Sequence, residues 1–283
     1  MDFDKITVVI NTFHSEDKII QCLDSIHSNV RVIVIENSDN INFKKKIEKK
    51  YSNVQCFLTG ENLGYAKGNN LGLSKVKTKF SLILNPDAKL GQEALNNFLI
   101  SAEKIKDFSI IGPAKQIEDS TDDKTVSEKE FFQVESLKGF AMFLNMDEFK
   151  DIGFFDENFF IYLEEKDLCK RIKKRNKKIF LVTNINIDHI GGSSHNQSID
   201  YEMELSRNWH WMWSKFYFNK KHYGYFYSVF AISGNFISAF FKTIFYIIIF
   251  NKKKRKIYFQ RLSGIVNSVM GKKSWYRPKI IIN

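Results

Sequence analysis

Residues 5–39, KITVVINTFHSEDKIIQCLDSIHSNVRVIVIENSD, decide the fold. Two apolar, β-branched runs, Ile6–Ile10 and Val30–Ile35, flank a segment in which Ile19, Ile20, Leu23 and Ile26 recur at helical spacing. The runs do not alternate apolar with polar, so they read as strands covered on both faces. Further runs follow at Val54–Leu58 and Phe80–Leu84, and a second helix can start after Ser38, with Asn42 as its cap. This β-α-β-α-β order predicts an α/β fold with a mostly parallel sheet, whose ligand site lies beyond the carboxyl ends of the strands.

Those ends carry the unusual residues. Asn11-Thr12-Phe13-His14 follows the first run, Glu36-Asn37-Ser38-Asp39 the second, Glu61-Asn62-Leu63-Gly64-Tyr65 the third and Asn85-Pro86-Asp87 the fourth. Each alone is good turn chemistry, but four such clusters share one edge. The glycine signatures GxGxxG and GxxxxGK[ST] are absent, which argues against a dinucleotide dehydrogenase or a P-loop enzyme. Carboxylates stand out instead. Asp87 could hold a divalent cation. In FFIYLEEKDLCKRIKKR, Glu164, Glu165 and Asp167 would fall in the first turn of a helix starting near Leu163. The preceding phenylalanines of GFFDENFF would desolvate these acids and raise a carboxylate toward a useful base. His189 follows the apolar run Ile179–Ile187 and precedes Gly191-Gly192-Ser193-Ser194; it, or His195, could meet a metal or a phosphate. Residues 115–130, with Glu118, Asp119, Asp122 and Asp123, read as a solvated loop.

The series ITVVINTFHS, IVIENSD, ENLGYAKGNN, LILNPDAKL, LKGFAMF, GFFDENFFIYLEEKDLCKR and IDHIGGSS resembles the inverting family 2 glycosyltransferases of GT-A fold, and within them the rhamnosyltransferase-like branch. The resemblance spans residues 5–195. It implies a nucleotide-sugar donor, a divalent metal (Mg or Mn) on the donor diphosphate, and one-step displacement at the anomeric carbon. It places Thr12, Phe13, Glu36 and Asn37 near the donor's base and ribose, and Asn62, Gly64 and Asn70 in the loop that approaches the donor. Asn85 takes the first position of a DxD-like motif. Asp87 takes its metal-binding position, with His189 near the metal and diphosphate. The family's Glu-Asp pair is here Glu164-Glu165, followed by Asp167, and Glu165 aligns with the catalytic base; relatives carry Asp where this chain has Glu36.

Composition divides the chain at about residue 200. The 283 residues are 43% hydrophobic and 27% charged, with a net charge of +11. Residues 201–283 hold 15 Lys/Arg against two acids, leaving 28 against 30 for residues 1–200, so the basic excess is confined to the last part. That part also holds 22 of the 42 aromatic residues and every tryptophan. Phe226–Phe250 bears one charge, Lys242, and is followed by Lys252-Lys253-Lys254-Arg255-Lys256. Phe236, Phe240, Ile244 and Ile247 keep helical spacing within it. An interfacial helix on anionic lipid, a membrane span, and core helices or an oligomer contact are the three uses open to the stretch. Three cysteines without a CxxC pair suit a reducing cytoplasm, and the charged start MDFDKITVVIN reads as a first strand rather than a secretory signal.

The sequence thus predicts a GT-A catalytic domain over residues 1–200 and a basic, aromatic, helical, membrane-associating segment over residues 201–283. The expected activity is metal-dependent transfer of a sugar, rhamnose from dTDP-rhamnose being the branch's suggestion, to a glycan or polyprenyl-linked acceptor in cell-surface polysaccharide synthesis. The expected place is the inner face of the cytoplasmic membrane, with no nucleic-acid partner. A catalytically weakened sugar-nucleotide-binding protein is the alternative, prompted by Glu36 and Glu165.

Overall fold

The computed structural model describes residues 2–116, 129–189 and 199–278. The acidic stretch Glu118–Asp123, the Gly191–Ser194 turn and His195 lie outside the described residues. Two compact units emerge: one from Met1–Leu63, Lys67–Phe155 and Glu165–Asn196, the other from Gly64–Ala66, Asp156–Glu164 and Gln197–Asn283.

In the first unit, strands β1 (Ile6–Thr12), β2 (Arg31–Glu36), β3 (Val54–Leu58) and β4 (Phe80–Leu84) are joined by helices α1 (Glu16–Asp24), α2 (Ile41–Lys50) and α3 (Gly64–Leu73), the last of which begins at the other unit's Gly64–Ala66. All four strands pair in parallel. Helix α2 is capped by Asn40, whose Oδ1 accepts from the Phe43 amide at 2.9 Å, and not by the expected Asn42. The sheet grows on through β6 (Phe108–Pro113), β7 (Phe131–Gln133), β8 (Ala141–Asn145) and β9 (Lys178–Val182), in the order β3-β2-β1-β4-β8-β6-β9-β7. Only β8 and β7 run antiparallel to their neighbours. β5 (Ala88–Leu90) and β10 (Ile187–His189) form a separate two-stranded ladder. The apolar run expected over Ile179–Ile187 is therefore two strands in two sheets.

Burial explains the parallel core. Val8, Val9, Ile10, Val32, Val34, Leu82 and Ile83 lose essentially all contact with water, each worth roughly 1.5–3 kcal/mol. Helix α4 (Ala94–Lys104) covers one face, with Phe98 stacked on Phe143 of β8 at 5.0 Å. The short α5 (Phe149–Ile152) precedes the crossing to the second unit, and α6 (Glu164–Lys174) returns from it.

The second unit is built on α7 (Asp200–Tyr223), α8 (Tyr225–Ile248) and α9 (Lys252–Val269). Gly264 lies so close to the Trp209 carbonyl that a Cβ there would overlap it, which lets α7 and α9 meet at backbone distance. The 156–164 segment packs on α7: Lys221 and the Tyr217 hydroxyl hold Asp156 at 2.7 and 3.0 Å, and Ser214 donates to the Ile161 carbonyl at 2.9 Å. On α8 the buried positions are Ser228, Ile232 and Ala239. The helically spaced stripe Phe236, Phe240, Ile244 and Ile247 is exposed, so the apolar periodicity marks an outer face.

Candidate active site

The polar clusters do gather at the carboxyl ends of the first unit's strands. Asn37 acts as the junction. Its backbone N–H donates to the Thr12 carbonyl at 2.9 Å, and its amide nitrogen to Asn11 Oδ1 at 2.6 Å. Its Oδ1 accepts from the Leu63 N–H at 3.2 Å, so the ends of β1 and β2 and the loop before α3 are tied together. Thr12 is buried and its Oγ1 has no hydrogen-bond partner among the described residues. Native interiors rarely leave such a hydroxyl unused. Phe13 follows, half-buried, against the ring of His14, a non-glycine residue with φ 50°.

Glu36 ends β2 and is 1% exposed. Burial pushes its carboxyl up to about 7; the 2.6 Å hydrogen bond from Ser38 and one from the His14 backbone oppose the rise, and Glu16 adds to it. Asn62 lies half-buried in the loop before α3. Gly64 opens α3 with φ +80°, and a Cβ would strike the carbonyl and ring of Phe160, so no other residue fits that approach. Asn70 brackets the Phe155 backbone, donating to its carbonyl at 2.9 Å and accepting from its N–H at 3.0 Å. That pair of bonds fixes the end of the loop after α5.

Asn85 leaves β4 with its N–H on the Phe140 carbonyl at 2.8 Å. Two residues on, Asp87 precedes β5, and the ladder with β10 sets Ala88 opposite His189. Asp87 Oδ1 and His189 Nε2 are 3.3 Å apart, both buried and neither hydrogen-bonded. The His189 ring is stacked on Phe140 at 4.4 Å, which fixes its plane. A carboxylate oxygen and an imidazole nitrogen facing each other at this distance suit a divalent cation. Among the described residues no group of three or more His, Cys, Asp or Glu could hold a metal. Asp87 and His189 would be two of its ligands, and substrate phosphate and water could fill other positions.

The acids of α6 have separate fates. Glu164, the first helical residue, is buried, and Glu165 is half-buried. Asp167 is fully buried and paired with Arg171, Nε to Oδ2 at 2.9 Å. The Arg171 guanidinium also donates to the carbonyls of Ile152, at 2.8 Å, of Gly153 and of Phe154. Asp167 is thereby committed to holding α6 against the 152–154 turn. Of the phenylalanines expected as a wall for these acids, Phe159 meets Tyr217 at 4.9 Å and Phe160 stacks on His210 at 4.4 Å. Sequence reading gave no role to Arg171 or to the left-handed pair Tyr162 and Leu163 (φ 74° and 69°). The i,i+4 spacing of Asp167 and Arg171 was the one available signal.

Comparison with known proteins bears on the family and the fold. The family model for glycosyl transferase family 2 matches residues 7–169. The chain is 24% identical over 220 residues to the low-salt glycan biosynthesis hexosyltransferase Agl10 of Haloferax volcanii, covering 70% of this chain and 69% of that one. In fold it is similar to the mannosyltransferase PcManGT of Pyrobaculum calidifontis, solved with GDP-Man and Mn2+, at TM-score 0.60 and 11% identity over 95% of this chain and 88% of that one. It is also similar to S. aureus TarS, at TM-score 0.53 and 15% identity over 71% of this chain, though it spans only 38% of TarS. A sheet that gathers Thr12, Glu36, Asn85 and Asp87 at its carboxyl edge, with a family match over more than half of the sequence, makes this chain a member of glycosyl transferase family 2.

Proposed function

We propose that the protein transfers a hexose or deoxyhexose, with inversion, from a nucleotide-diphosphate donor to a lipid-linked saccharide in cell-surface polysaccharide synthesis. The observation that carries this reading is the Asp87–His189 pair beyond β4, a carboxylate oxygen and a ring nitrogen 3.3 Å apart with no further hydrogen-bond partner among the described residues. Agl10's name, with its hexosyl transfer in glycan biosynthesis, and the GDP-Man and Mn2+ bound to PcManGT support the same chemistry. Rhamnose from dTDP-rhamnose is the first donor to try, on the resemblance of the motifs. Thr12, Phe13, Glu36, Asn37, Asn62, Gly64, Asn70 and Asn85 form or brace the donor site in this reading.

Glu165 takes the proton of the acceptor hydroxyl as that oxygen bonds to the anomeric carbon. The bond from that carbon to the diphosphate oxygen breaks, and nucleoside diphosphate leaves. One displacement inverts the centre. General-base help of this kind is worth roughly 10²- to 10⁴-fold. Asp87 and His189 would hold a divalent cation, which would supply positive charge for the leaving diphosphate. Residues 1–200 would form the catalytic domain. The test is a thermal-shift panel of nucleotide sugars with and without Mn2+, since a ligand that binds only the native state raises its stability. One donor should stand out and should transfer; stabilisation without transfer or hydrolysis would point to a sugar-nucleotide-binding protein.

Residues 201–283 would attach the enzyme to the cytoplasmic face of the membrane. Helix α8 is long and apolar enough to cross a bilayer, with mean hydropathy 1.4 and 11% of that window buried. Its outer face presents Phe226 and Phe230, 89% and 79% exposed, and Phe241, while its inner face packs along α7 and α9. A helix held lengthwise by two polar helices suits the interfacial plane rather than a span, and Lys252, Lys253 and Lys254 at the start of α9 suit anionic lipid. Phosphatidylglycerol vesicles should pellet the protein, and Phe226→Ser with Phe230→Ser should release it. Equal pelleting with phosphatidylcholine alone would refute the electrostatic part.

A further inference from the structure

The alternating tryptophans of α7 have different uses. Trp209 and Trp213, one turn apart, are buried, with their indole N–H groups on Ser263 and on the Lys272 carbonyl. Trp211 lies on the opposite side of the helix and is 40% exposed. Its ring stands edge-on to Tyr162, centroids 5.4 Å apart at 87°. Arg207 sits one turn before Trp211 on the same side. Burial raises the Tyr162 phenol to about 12, Arg207 opposes that rise and Glu164 adds to it, so both charges act on the phenol.

The backbone here is strained: Tyr162 and Leu163 are consecutive non-glycine residues in the left-handed region. The strain is held in place by Ser214, which fixes the Ile161 carbonyl, and by His210, which stacks on Phe160. It turns the Tyr162 ring against Trp211 immediately before Glu164.

Two aromatic rings at right angles, one open to solvent, with a guanidinium and a carboxylate beside them, are the chemistry that recognises a pyranose. The apolar C–H face of the sugar packs on an aromatic face, and its hydroxyls pair with charged groups. We propose that Trp211, Tyr162 and Arg207 form a subsite for a pyranose ring of the saccharide acceptor, beside Glu164. This rests on the glycosyltransferase reading and deepens it by naming where the acceptor is held. Trp211 supplies the stacking face, Tyr162 the corner, and Arg207 the hydrogen bonds to ring hydroxyls.

The test uses the full chain labelled with 5-fluorotryptophan, the Trp211 resonance being assigned by its loss in Trp211→Phe. The probes are the methyl glycosides of glucose, galactose, mannose and N-acetylglucosamine, with glycerol as a polyol lacking the ring. At least one glycoside should shift the Trp211 resonance saturably while glycerol does not. Arg207→Gln and Tyr162→Ala should weaken that binding by roughly three- to tenfold, the worth of one such contact. Stabilisation by nucleotide sugar with Mn2+ should stay at the wild-type level in both variants. Silence of Trp211 toward all four glycosides, an equal shift with glycerol, or unchanged binding in both variants overturns the subsite. Absence of donor stabilisation in the wild type would instead overturn the glycosyltransferase reading, so the two failures are distinguishable.

Discussion

Removing the Arg171 guanidinium should destabilise the sheet unit more than it affects chemistry. Asp167 has no exposed surface, and its charge is balanced by Arg171 at 2.9 Å, itself 22% exposed. Replacing such a pair by half of itself leaves a buried carboxylate uncompensated, at a cost of roughly 3–5 kcal/mol. The carbonyls of Ile152, Gly153 and Phe154 lose their donor as well, each worth about 1 kcal/mol where water cannot substitute. Arg171→Met should therefore lose at least about 3 kcal/mol. Asp167→Asn, which removes the charge and keeps the shape, should cost less, about 1–3 kcal/mol. Urea unfolding followed by circular dichroism gives the magnitude, and hydrogen exchange over residues 152–174 gives the location. Folded Asp167→Asn should still transfer sugar. A loss below about 1 kcal/mol for Arg171→Met would refute the structural role. Abolished transfer in a fully stable Asp167→Asn would move the base to that residue.

Two further outcomes follow from single groups. Glu36 has a carboxyl at about 7 against an ordinary 4.5, so between those pH values the native state binds the proton that the unfolded state has lost. Stability should fall as pH rises through that window, by about 3 kcal/mol in all, and Glu36→Gln should flatten the slope in denaturation profiles. A wild-type profile that rises there would contradict a buried, protonated Glu36. Gly264→Ala should push α9 off α7 at the Trp209 carbonyl and cost roughly 1–3 kcal/mol despite alanine's better helix propensity. All four tryptophans belong to that unit, so a fluorescence-detected melt isolates it, and an unchanged midpoint would refute the close contact.

Much of the fold was legible because the β-branched runs of β1 to β4 admit one reading: continuous apolar stretches need cover on both faces. The strands of the second half were harder. β9 and β10 form one apolar run in sequence, and only tertiary pairing divides it. Thr12, Asn37, Glu36 and Asp87 were legible as polar residues after strands. Their neighbour Asn11 was named with them, but its tie to Asn37, a partner 26 positions away, was not legible. The α8 stripe was legible as one face of a helix, but not as an inner or an outer one. Helical periodicity marks a uniform face, but whether it turns inward depends on neighbours, and here Ser228, Ile232 and Ala239 took the inner side.

The most direct measurement is transfer by Glu165→Gln, using the nucleotide sugar that most stabilises the wild type with Mn2+. If Glu165 is the base, the variant keeps the wild-type thermal shift with that donor while turnover drops roughly 10²- to 10⁴-fold. Turnover near the wild-type rate with donor binding intact would contradict catalysis by Glu165 and shift the role to Glu164.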